Sequence, residues 1–220
     1  MSERRPALTV IAGPNGSGKT SVTAAIRGLE WMHGVTYINP DDIAQQQFGD
    51  WNSPQAVLQA AQFADAERQR LMAAGEDFAY EIVFSTPQRL DDLRRAQTLG
   101  YFIRFYFIAT DDPDINVARV AARVAAGGHD VPEDRIRTRY TRSMENAKAA
   151  LEIADRAYII DNSTTITGPA DTKSGPFMVF RTRDGRIANT YVDQFPPWAR
   201  NLADSLDTPP TPQNGSAPSP

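Results

Sequence analysis

Short apolar runs alternate with longer stretches of helical periodicity along most of the chain. The apolar runs predict five strands, at residues 8–12, 35–39, 78–85, 102–109 and 157–161. Several runs are apolar at consecutive positions, which is typical of parallel strands that helices cover on both faces. The stretches between them predict helices at residues 54–73, 88–99, 114–126 and 132–154. The pattern therefore predicts an α/β fold with a mainly parallel five-stranded sheet.

The pattern changes after residue 162. Residues 178–180 and 187–192 flank the turn sequence Arg183-Asp184-Gly185, which predicts a β-hairpin over about 177–192 at one edge of the sheet. Five of the thirteen residues from 208 to 220 are proline and none is large and apolar. We therefore expect one domain over residues 1–204 and a disordered, proline-rich tail over 205–220.

The composition excludes several classes of protein. The 220 residues carry a formal net charge of -4 and include no cysteine and two histidines. The absence of cysteine excludes a disulfide framework and a thiolate nucleophile, and the presence of only two histidines argues against a multi-histidine metal site. A mildly acidic chain makes nucleic-acid binding unlikely on net charge, and no apolar run approaches the roughly 20 residues of a membrane span. We expect a cytoplasmic protein.

A glycine-rich loop follows the first predicted strand and leads into a helix. It fits the pattern G-x-x-x-x-G-K-[ST] and predicts a binding site for ATP and Mg²⁺. Its backbone N–H groups would surround the phosphates, Lys19 would reach the terminal phosphates, and the Thr20 hydroxyl would bind Mg²⁺. The candidate ATP-binding residues are Gly13, Pro14, Asn15, Gly16, Ser17, Gly18, Lys19, Thr20 and Ser21.

Two aspartates follow the second predicted strand, where the carboxyl ends of parallel strands open into a ligand crevice. Asp41 or Asp42 could accept the proton of an acceptor hydroxyl during phosphoryl transfer. Either residue could instead cap a helix that starts at Ile43. Spacing alone favours neither interpretation.

Acidic residues at two further places, within the third predicted strand and at the end of the fourth, could either bind a ligand or have a structural role. Glu81 lies in an otherwise apolar strand and should face a substrate hydroxyl, a Mg²⁺-bound water or an arginine, unless it reaches solvent at an edge. Asp111 and Asp112 end the fourth strand, where an acid often helps to hold Mg²⁺. Because Pro113 and a helical pattern follow, we favour the start of a helix there, and no second metal ligand is identifiable.

Arginines concentrate on two consecutive helical patterns joined by Gly127-Gly128. They predict a lid over about residues 113–152 whose guanidinium groups face the phosphates. One face of the second helix would pack on the domain through Ile136, Tyr140, Met144, Ala147 and Leu151. The alternative is a solvated pair of helices with intrahelical ion pairs. The arginines concerned are Arg119, Arg123, Arg135, Arg139 and Arg142.

These motifs together resemble the chromosomal branch of the zeta toxin-like P-loop kinases. The residues that carry the resemblance are those of the loop at 13–20, Asn39-Pro40-Asp41-Asp42-Ile43-Ala44, Phe78-Ala79-Tyr80-Glu81, the segment 119–132 with Gly127-Gly128-His129-Asp130-Val131-Pro132, Arg139-Tyr140, Arg142-Ser143 and Asp161-Asn162-Ser163. The resemblance implies a P-loop NTPase fold of the nucleoside-kinase-like type, a three-layer sandwich with a helical lid.

The resemblance also implies an activity and roles for particular residues. It implies transfer of the ATP γ-phosphate to a hydroxyl of a UDP-activated amino sugar, typically UDP-N-acetylglucosamine, and an antitoxin protein as a candidate partner. Asp41 would be the base, and Lys19, Arg119, Arg123 and Arg139 would stabilise the phosphates. The candidate substrate-binding residues are Asp41, Glu81, Thr86 and His129.

Two alternative functions stay open at this point. The same chemistry could act on another nucleotide or on a cofactor hydroxyl. A regulatory or nucleic-acid-associated ATPase would instead transfer the phosphate to water. Of the motifs that carry the resemblance, only the glycine-rich loop is common among unrelated proteins.

Overall fold

The computed structural model describes residues 4–48, 53–163 and 175–206. Its strands are β1 (Ala7–Ala12), β2 (Thr36–Ile38), β3 (Phe78–Ile82), β4 (Phe102–Ala109), β5 (Arg156–Asp161), β6 (Phe177–Arg183) and β7 (Arg186–Thr190). Its helices are α1 (Lys19–Arg27), α2 (Pro40–Phe48), α3 (Pro54–Ala74), α4 (Gln88–Thr98), α5 (Pro113–Ala125), α6 (Glu133–Ile153) and α7 (Pro197–Leu206), with a 3-10 turn at Glu30–Met32.

All seven strands form one sheet in the order β2-β3-β1-β4-β5-β6-β7. The first five pair in parallel, and β6 and β7 continue the sheet as antiparallel strands. The predicted parallel sheet and C-terminal hairpin are thus confirmed. Because β1 lies between β3 and β4, the loop after β1 emerges at the middle of the carboxyl edge.

Alternation along β4 shows how the sheet divides the core. Ile103, Phe105 and Phe107 point into the larger cluster, which contains side chains from α3, α4, α6 and α7. Tyr106 and Ile108 point to the opposite face, where α1 and the 3-10 turn supply the packing. Residues buried on both faces of a strand produce the near-continuous apolar run seen in the sequence.

Helix α7 had no counterpart in the sequence prediction, and it packs against the larger cluster. Its Trp198 lies against Phe107, with ring centroids 6.2 Å apart. The Trp198 indole N–H donates to Asp161 Oδ2 at 2.7 Å, at the end of β5. The helix ends at Leu206, so the first two residues of the predicted tail are helical. The rest of that tail lies outside the described residues.

No helix among the described residues is both long and apolar enough to cross a membrane.

We expect Trp198→Phe to destabilise the protein by about 1–3 kcal/mol, because the buried Asp161 carboxylate loses a hydrogen-bond donor. Urea unfolding followed by circular dichroism would measure the change. Trp31→Phe is the control, since Trp31 is 38% exposed, and should change stability by less than about 0.5 kcal/mol. Equal effects of the two substitutions would contradict the assigned role of the indole N–H.

Candidate active site

The glycine-rich loop connects β1 to α1 and requires glycine for two separate reasons. Gly16 and Gly18 adopt left-handed backbone conformations, with φ of 74° and 87°. A Cβ on Gly16 would lie 2.5 Å from the backbone oxygen of Asn116, and one on Gly18 would lie 2.1 Å from Nδ2 of Asn162. The loop is therefore shaped by its protein neighbours as well as by its own backbone.

Two asparagines support this loop, and the sequence analysis assigned neither of them a role. The Asn116 side chain on α5 donates to the backbone oxygen of Asn15 at 2.5 Å and accepts from the Thr110 hydroxyl. The Asn162 side chain donates to the backbone oxygen of Ser17 at 2.8 Å. Both amides come from distant segments, so no local sequence signal could have identified them.

Lys19 is almost buried, and its Nζ donates to the backbone oxygen of Pro14 at 3.0 Å. Burial lowers the pKa of Lys19, while the carboxylates of Glu81 and Asp41 act in the opposite direction. Arg123 and Arg139 also act on this amine and lower its pKa further. The fold thus brings acids and bases from four segments to the same lysine.

Asn39 decides between the two interpretations of the aspartates. Its side-chain oxygen accepts from the Asp41 backbone N–H at 3.0 Å, and its backbone oxygen accepts from the Ile43 N–H at 3.1 Å. Asn39 therefore caps α2, which begins at Pro40 and not at Ile43 as predicted. Neither aspartate side chain is needed as the cap.

The two aspartates face different clefts. Asp41 lines the cleft that contains the glycine-rich loop, whereas Asp42 lines a separate cleft with Arg27 and Tyr37. Burial raises the pKa of Asp42, Asp41 adds to the rise, and Arg27 opposes it. Asp41, and not Asp42, therefore shares a cleft with Lys19 and the glycine-rich loop.

Glu81 is held by two protein hydroxyls, which are partners that the sequence analysis did not predict. Thr23 donates to Glu81 Oε2 at 2.7 Å, and Tyr37 donates to the same oxygen at 3.2 Å. Burial raises the pKa of Tyr37, and Glu81 adds to this rise, so the phenol stays a hydrogen-bond donor. Glu81 also lines the cleft, where its second oxygen, Oε1, can accept from a ligand.

Arginines of α5 and α6 line the opposite wall of the cleft. Arg139 Nη1 donates to the side-chain oxygen of Asn15 at 3.2 Å, which ties α6 to the loop. Arg123 Nη2 donates to the backbone oxygen of His129 at 2.9 Å, across the α5–α6 connection. Arg119 and Arg135 also line the cleft. These guanidinium groups surround the space in front of Lys19.

The predicted lid is longer than the part of these helices that faces the cleft. Ala147 and Leu151 of α6 are buried in the larger core cluster, and Asn146 donates to the backbone oxygen of Phe84 at 3.1 Å. Arg142 is exposed and lies outside the cleft. The second half of α6 therefore belongs to the body of the domain, and the cleft-facing part ends near Arg139.

The cleft has a volume of about 680 Å³. Its predicted lining residues are Asn15, Gly16, Gly18, Lys19, Thr20, Asp41, Glu81, Arg119, Arg123, His129 and Arg139. Five other candidates, Gly13, Pro14, Ser17, Ser21 and Thr86, do not line it. Asn39, Pro54, Val57 and Val83 line it without having been predicted. For Asn39, the sequence Asn-Pro-Asp was an available signal of a helix start.

The acidic end of β4 has the structural role that we favoured. Asp112 caps α5 by accepting from the Asp114 N–H at 2.8 Å, with Pro113 in the first turn. Burial raises the pKa of Asp111, and the nearby Asp161 adds to the rise. Within the described ranges, no group of three or more acidic or histidine side chains could hold a metal ion. Thr20 lines the cleft and fits a Mg²⁺ that takes its other ligands from phosphates and water.

Comparison with known proteins gives one family and several related folds. A family model described as Zeta toxin matches residues 1–168, a range that includes β1 to β5 and every residue of the cleft. An uncharacterized protein from Haemophilus influenzae is 28% identical over 128 residues, which cover 58% of this chain and 88% of that protein.

Two solved structures show a similar fold. One belongs to the PezAT chromosomal toxin-antitoxin system of Streptococcus pneumoniae; its TM-score is 0.54 at 17% identity, covering 76% of this chain and 73% of that one. The other is AvrRxo1-ORF1:-ORF2 with ATP, with a TM-score of 0.61 at 16% identity, covering 97% of this chain and 67% of that one. At these identities the likeness shows the fold alone.

We expect Gly18→Ala to weaken ATP binding by about tenfold or more, because the new Cβ displaces the Asn162 amide that supports the loop. Gly100→Ala is the matched control, since Gly100 has φ of 81° and no atom within 4 Å of a Cβ. Both substitutions should cost about 1–2 kcal/mol of backbone strain. Titration with ATP and urea unfolding separate the two effects, and equal ATP affinities would refute the loop contact.

Proposed function

The chain belongs to the zeta toxin family, and from this premise we propose that it is an ATP-dependent small-molecule kinase. The acceptor is a hydroxyl of a UDP-activated amino sugar such as UDP-N-acetylglucosamine. One observation carries the proposal: Asn39 caps α2, so that Asp41 lies uncommitted in the same cleft as Lys19 and the lid arginines. A carboxylate in this position can accept the proton of an acceptor hydroxyl, and the substrate panel described below separates this role from activation of water by an ATPase.

The glycine-rich loop supports ATP as the phosphate donor. Its N–H groups and the N-terminus of α1 form an anion site, and Lys19 lies at its end with the lid arginines opposite. The related fold of AvrRxo1-ORF1:-ORF2 was solved with ATP, which agrees with this assignment. Mg²⁺, held by the Thr20 hydroxyl and the phosphates, would neutralise charge on the phosphoryl group.

Asp41 is the proposed general base. Its carboxylate accepts the proton of the acceptor hydroxyl as the new P–O bond forms and the bond to the departing ADP breaks. Glu81, fixed through Thr23 and Tyr37, orients the acceptor with its other oxygen. A carboxylate with two hydroxyl donors on one oxygen cannot turn freely, which suits a positioning role.

The arginines stabilise the charge that develops on the phosphoryl oxygens. Arg139 is bonded to Asn15 of the loop and is therefore held at the phosphate site before any ligand arrives. Burial lowers the pKa of Arg139, and neighbouring Arg135 adds to this effect. Burial and the repulsion from Arg135 both disfavour the charged form of Arg139, and an anion in the cleft would offset both effects. Preorganised cations of this kind are among the largest contributions to phosphoryl transfer.

The shape of the cleft agrees with a substrate larger than a simple alcohol. Pro54, Val57 and Val83 give it an apolar wall on the side away from the lid. A nucleotide sugar combines a diphosphate, which arginines recognise, with rings that pack on apolar side chains.

An antitoxin-type protein is the proposed macromolecular partner. The support is limited to the family and to the relatives in complexes, namely the PezAT toxin-antitoxin system and the AvrRxo1-ORF1:-ORF2 complex. Co-expression of the gene with its genomic neighbours, followed by co-purification, would test for such a partner.

We expect Asp41→Asn to lower phosphorylation of UDP-N-acetylglucosamine by about 10²–10⁴-fold, because the general base is lost. Asp42→Asn is the matched control on the same helical turn and should keep most of the activity, since Asp42 faces the other cleft. Mass spectrometry of a panel of nucleotide sugars, incubated with ATP, Mg²⁺ and each protein, detects the added phosphate.

The same experiment distinguishes the alternative functions. Phosphorylation of a different nucleotide or of a cofactor would support the kinase activity and would assign a different acceptor. Release of inorganic phosphate with no phosphorylated panel member would favour an ATPase. Full activity of Asp41→Asn would show that another group is the base.

We expect Arg139→Ala to lower kcat by about 10²-fold through loss of charge stabilisation. Arg142→Ala, on the same helix but outside the cleft, should leave kcat within about twofold of the parent. Steady-state kinetics at saturating ATP measure both variants. If the two substitutions had equal effects, the arginines would act only through the general charge of α6.

A further inference from the structure

One face of the C-terminal half of the sheet has no helical layer among the described residues. The smaller core cluster on this side takes helical side chains only from α1, with Met32 of the 3-10 turn. The helices α3, α4, α6 and α7 all pack into the cluster on the other side. On the α1 side, Tyr106, Ile108 and Ile160 are buried, whereas the side chains near the amino ends of β4 and β5 and beside the β6–β7 turn are half-buried or exposed.

A row of arginines crosses this face. In the strand register, Arg104 of β4 lies opposite Arg156 of β5, Arg156 lies opposite Arg183 of β6, and Arg183 lies opposite Arg186 of β7. Directly paired residues point to the same face, so four arginines stand side by side across four strands. We call these four residues the arginine row; it is about 14 Å long at the usual strand spacing.

Like charges directly opposite each other destabilise a sheet, so this arrangement calls for an explanation. Among the described residues, the recorded ion pairs of the row are limited to a contact of 3.7 Å between Arg183 Nε and Asp184 Oδ2. The nearby Asp155 carboxylate bonds to Arg5 and to the Ile103 N–H instead. The local carboxylates do not neutralise the row.

Aromatic side chains lie beside the arginine row and interact with it. The Phe102 ring has the guanidinium groups of Arg104 and Arg156 at 4.8 and 5.5 Å from its centroid. Arg104 also lies 4.6 Å from the ring centroid of Trp31, which is 38% exposed. These cation–π contacts keep the two guanidinium groups close to the aromatic rings and leave their charge in place.

The next row along the strands is also aromatic and basic. Tyr106 of β4 and Tyr158 of β5 are opposite each other and stacked, with centroids 4.4 Å apart and planes within 7°. Arg181 of β6 continues this row, and its Nε donates to Asn189 of β7 at 2.7 Å. The arginine row is thus flanked on one side by the partly exposed Phe102 and Trp31, and on the other by the Tyr106–Tyr158 pair, in which Tyr106 is buried and Tyr158 half-buried.

From this arrangement we infer that the uncovered sheet face binds a single-stranded nucleic acid. Arginine forks bind phosphates, and exposed rings and guanidinium planes stack on unpaired bases. An acidic polypeptide would satisfy the arginines equally well but would gain little from Trp31 and Phe102. The net charge of -4 made nucleic-acid binding unlikely at the sequence level, because a whole-chain average does not register a row formed by four separate strands.

This site is separate from the proposed kinase centre. Arg104 and Arg156 lie near the amino ends of their strands, whereas the cleft lies at the carboxyl ends. The two sites can therefore be tested independently. The inference does not depend on the identity of the kinase substrate.

The test uses the purified full chain and fluorescein-labelled oligouridylate or oligothymidylate, with binding followed by anisotropy over a series of salt concentrations. Each phosphate contact contributes about -0.7 to the slope of log K against log salt, so a row of four predicts a slope of about -3. Arg156→Gln combined with Arg183→Gln should weaken binding by about tenfold or more and reduce the slope by about 1.4.

The control removes two arginines from the opposite face of the protein. Arg70→Gln combined with Arg94→Gln causes the same loss of charge at ion-paired positions on α3 and α4, and should leave the affinity within about twofold if the row is the site. Asp41→Asn should bind the oligonucleotide like the parent protein. The midpoint of urea unfolding should be unchanged or higher in the variant of the row, since like-charge repulsion is removed.

Trp31→Ala distinguishes nucleic acid from other anions. The substitution should weaken oligonucleotide binding by about tenfold through loss of stacking. Polyglutamate should compete poorly with the oligonucleotide for the parent protein. No binding at low salt, or equal losses in the row variant and its control, would overturn the inference. It would also fail if polyglutamate competed efficiently and Trp31→Ala had no effect, which would assign the face to an acidic protein.

Discussion

The packing of the glycine-rich loop against two asparagine amides controls the geometry of the whole cleft. Asn116 approaches from the start of α5 and Asn162 from the end of β5, and each bonds to a backbone oxygen of the loop. The close approach leaves no room for a Cβ at Gly16 or Gly18. Because the loop is held from both sides, Lys19 lies in a nearly buried position, and Arg139 of α6 has a defined hydrogen-bond partner in Asn15.

A single helix cap separates the chemistry of two adjacent acids. Asn39 takes the capping hydrogen bond, so the first turn of α2 presents Asp41 to one cleft and Asp42 to another. Both are of the same residue type at consecutive positions, and only the direction of the helix distinguishes them. The position of each carboxylate therefore depends on a neighbouring residue that caps the helix.

The sheet also carries two separate basic surfaces, the cleft and the arginine row. Its carboxyl edge carries the cleft, which is lined by the nearly buried Lys19 and by four arginines of α5 and α6. Its face on the α1 side carries the arginine row, in which Arg104 and Arg156 lie against aromatic rings. In both places positive charge is concentrated at some cost to the free protein, and a phosphate-bearing ligand would relieve that cost.

The sequence by itself determined the features that depend on neighbours along the chain. The alternation of apolar runs predicted the five parallel strands, Asp184-Gly185 predicted the hairpin turn, and the loop at 13–20 predicted the phosphate site, because periodicity and turn geometry are local. Contacts between distant segments decided the rest: the supporting roles of Asn116 and Asn162, the docking of α7 through Trp198, and the alignment of the arginine row. Such contacts depend on strand order and register, which no single segment specifies.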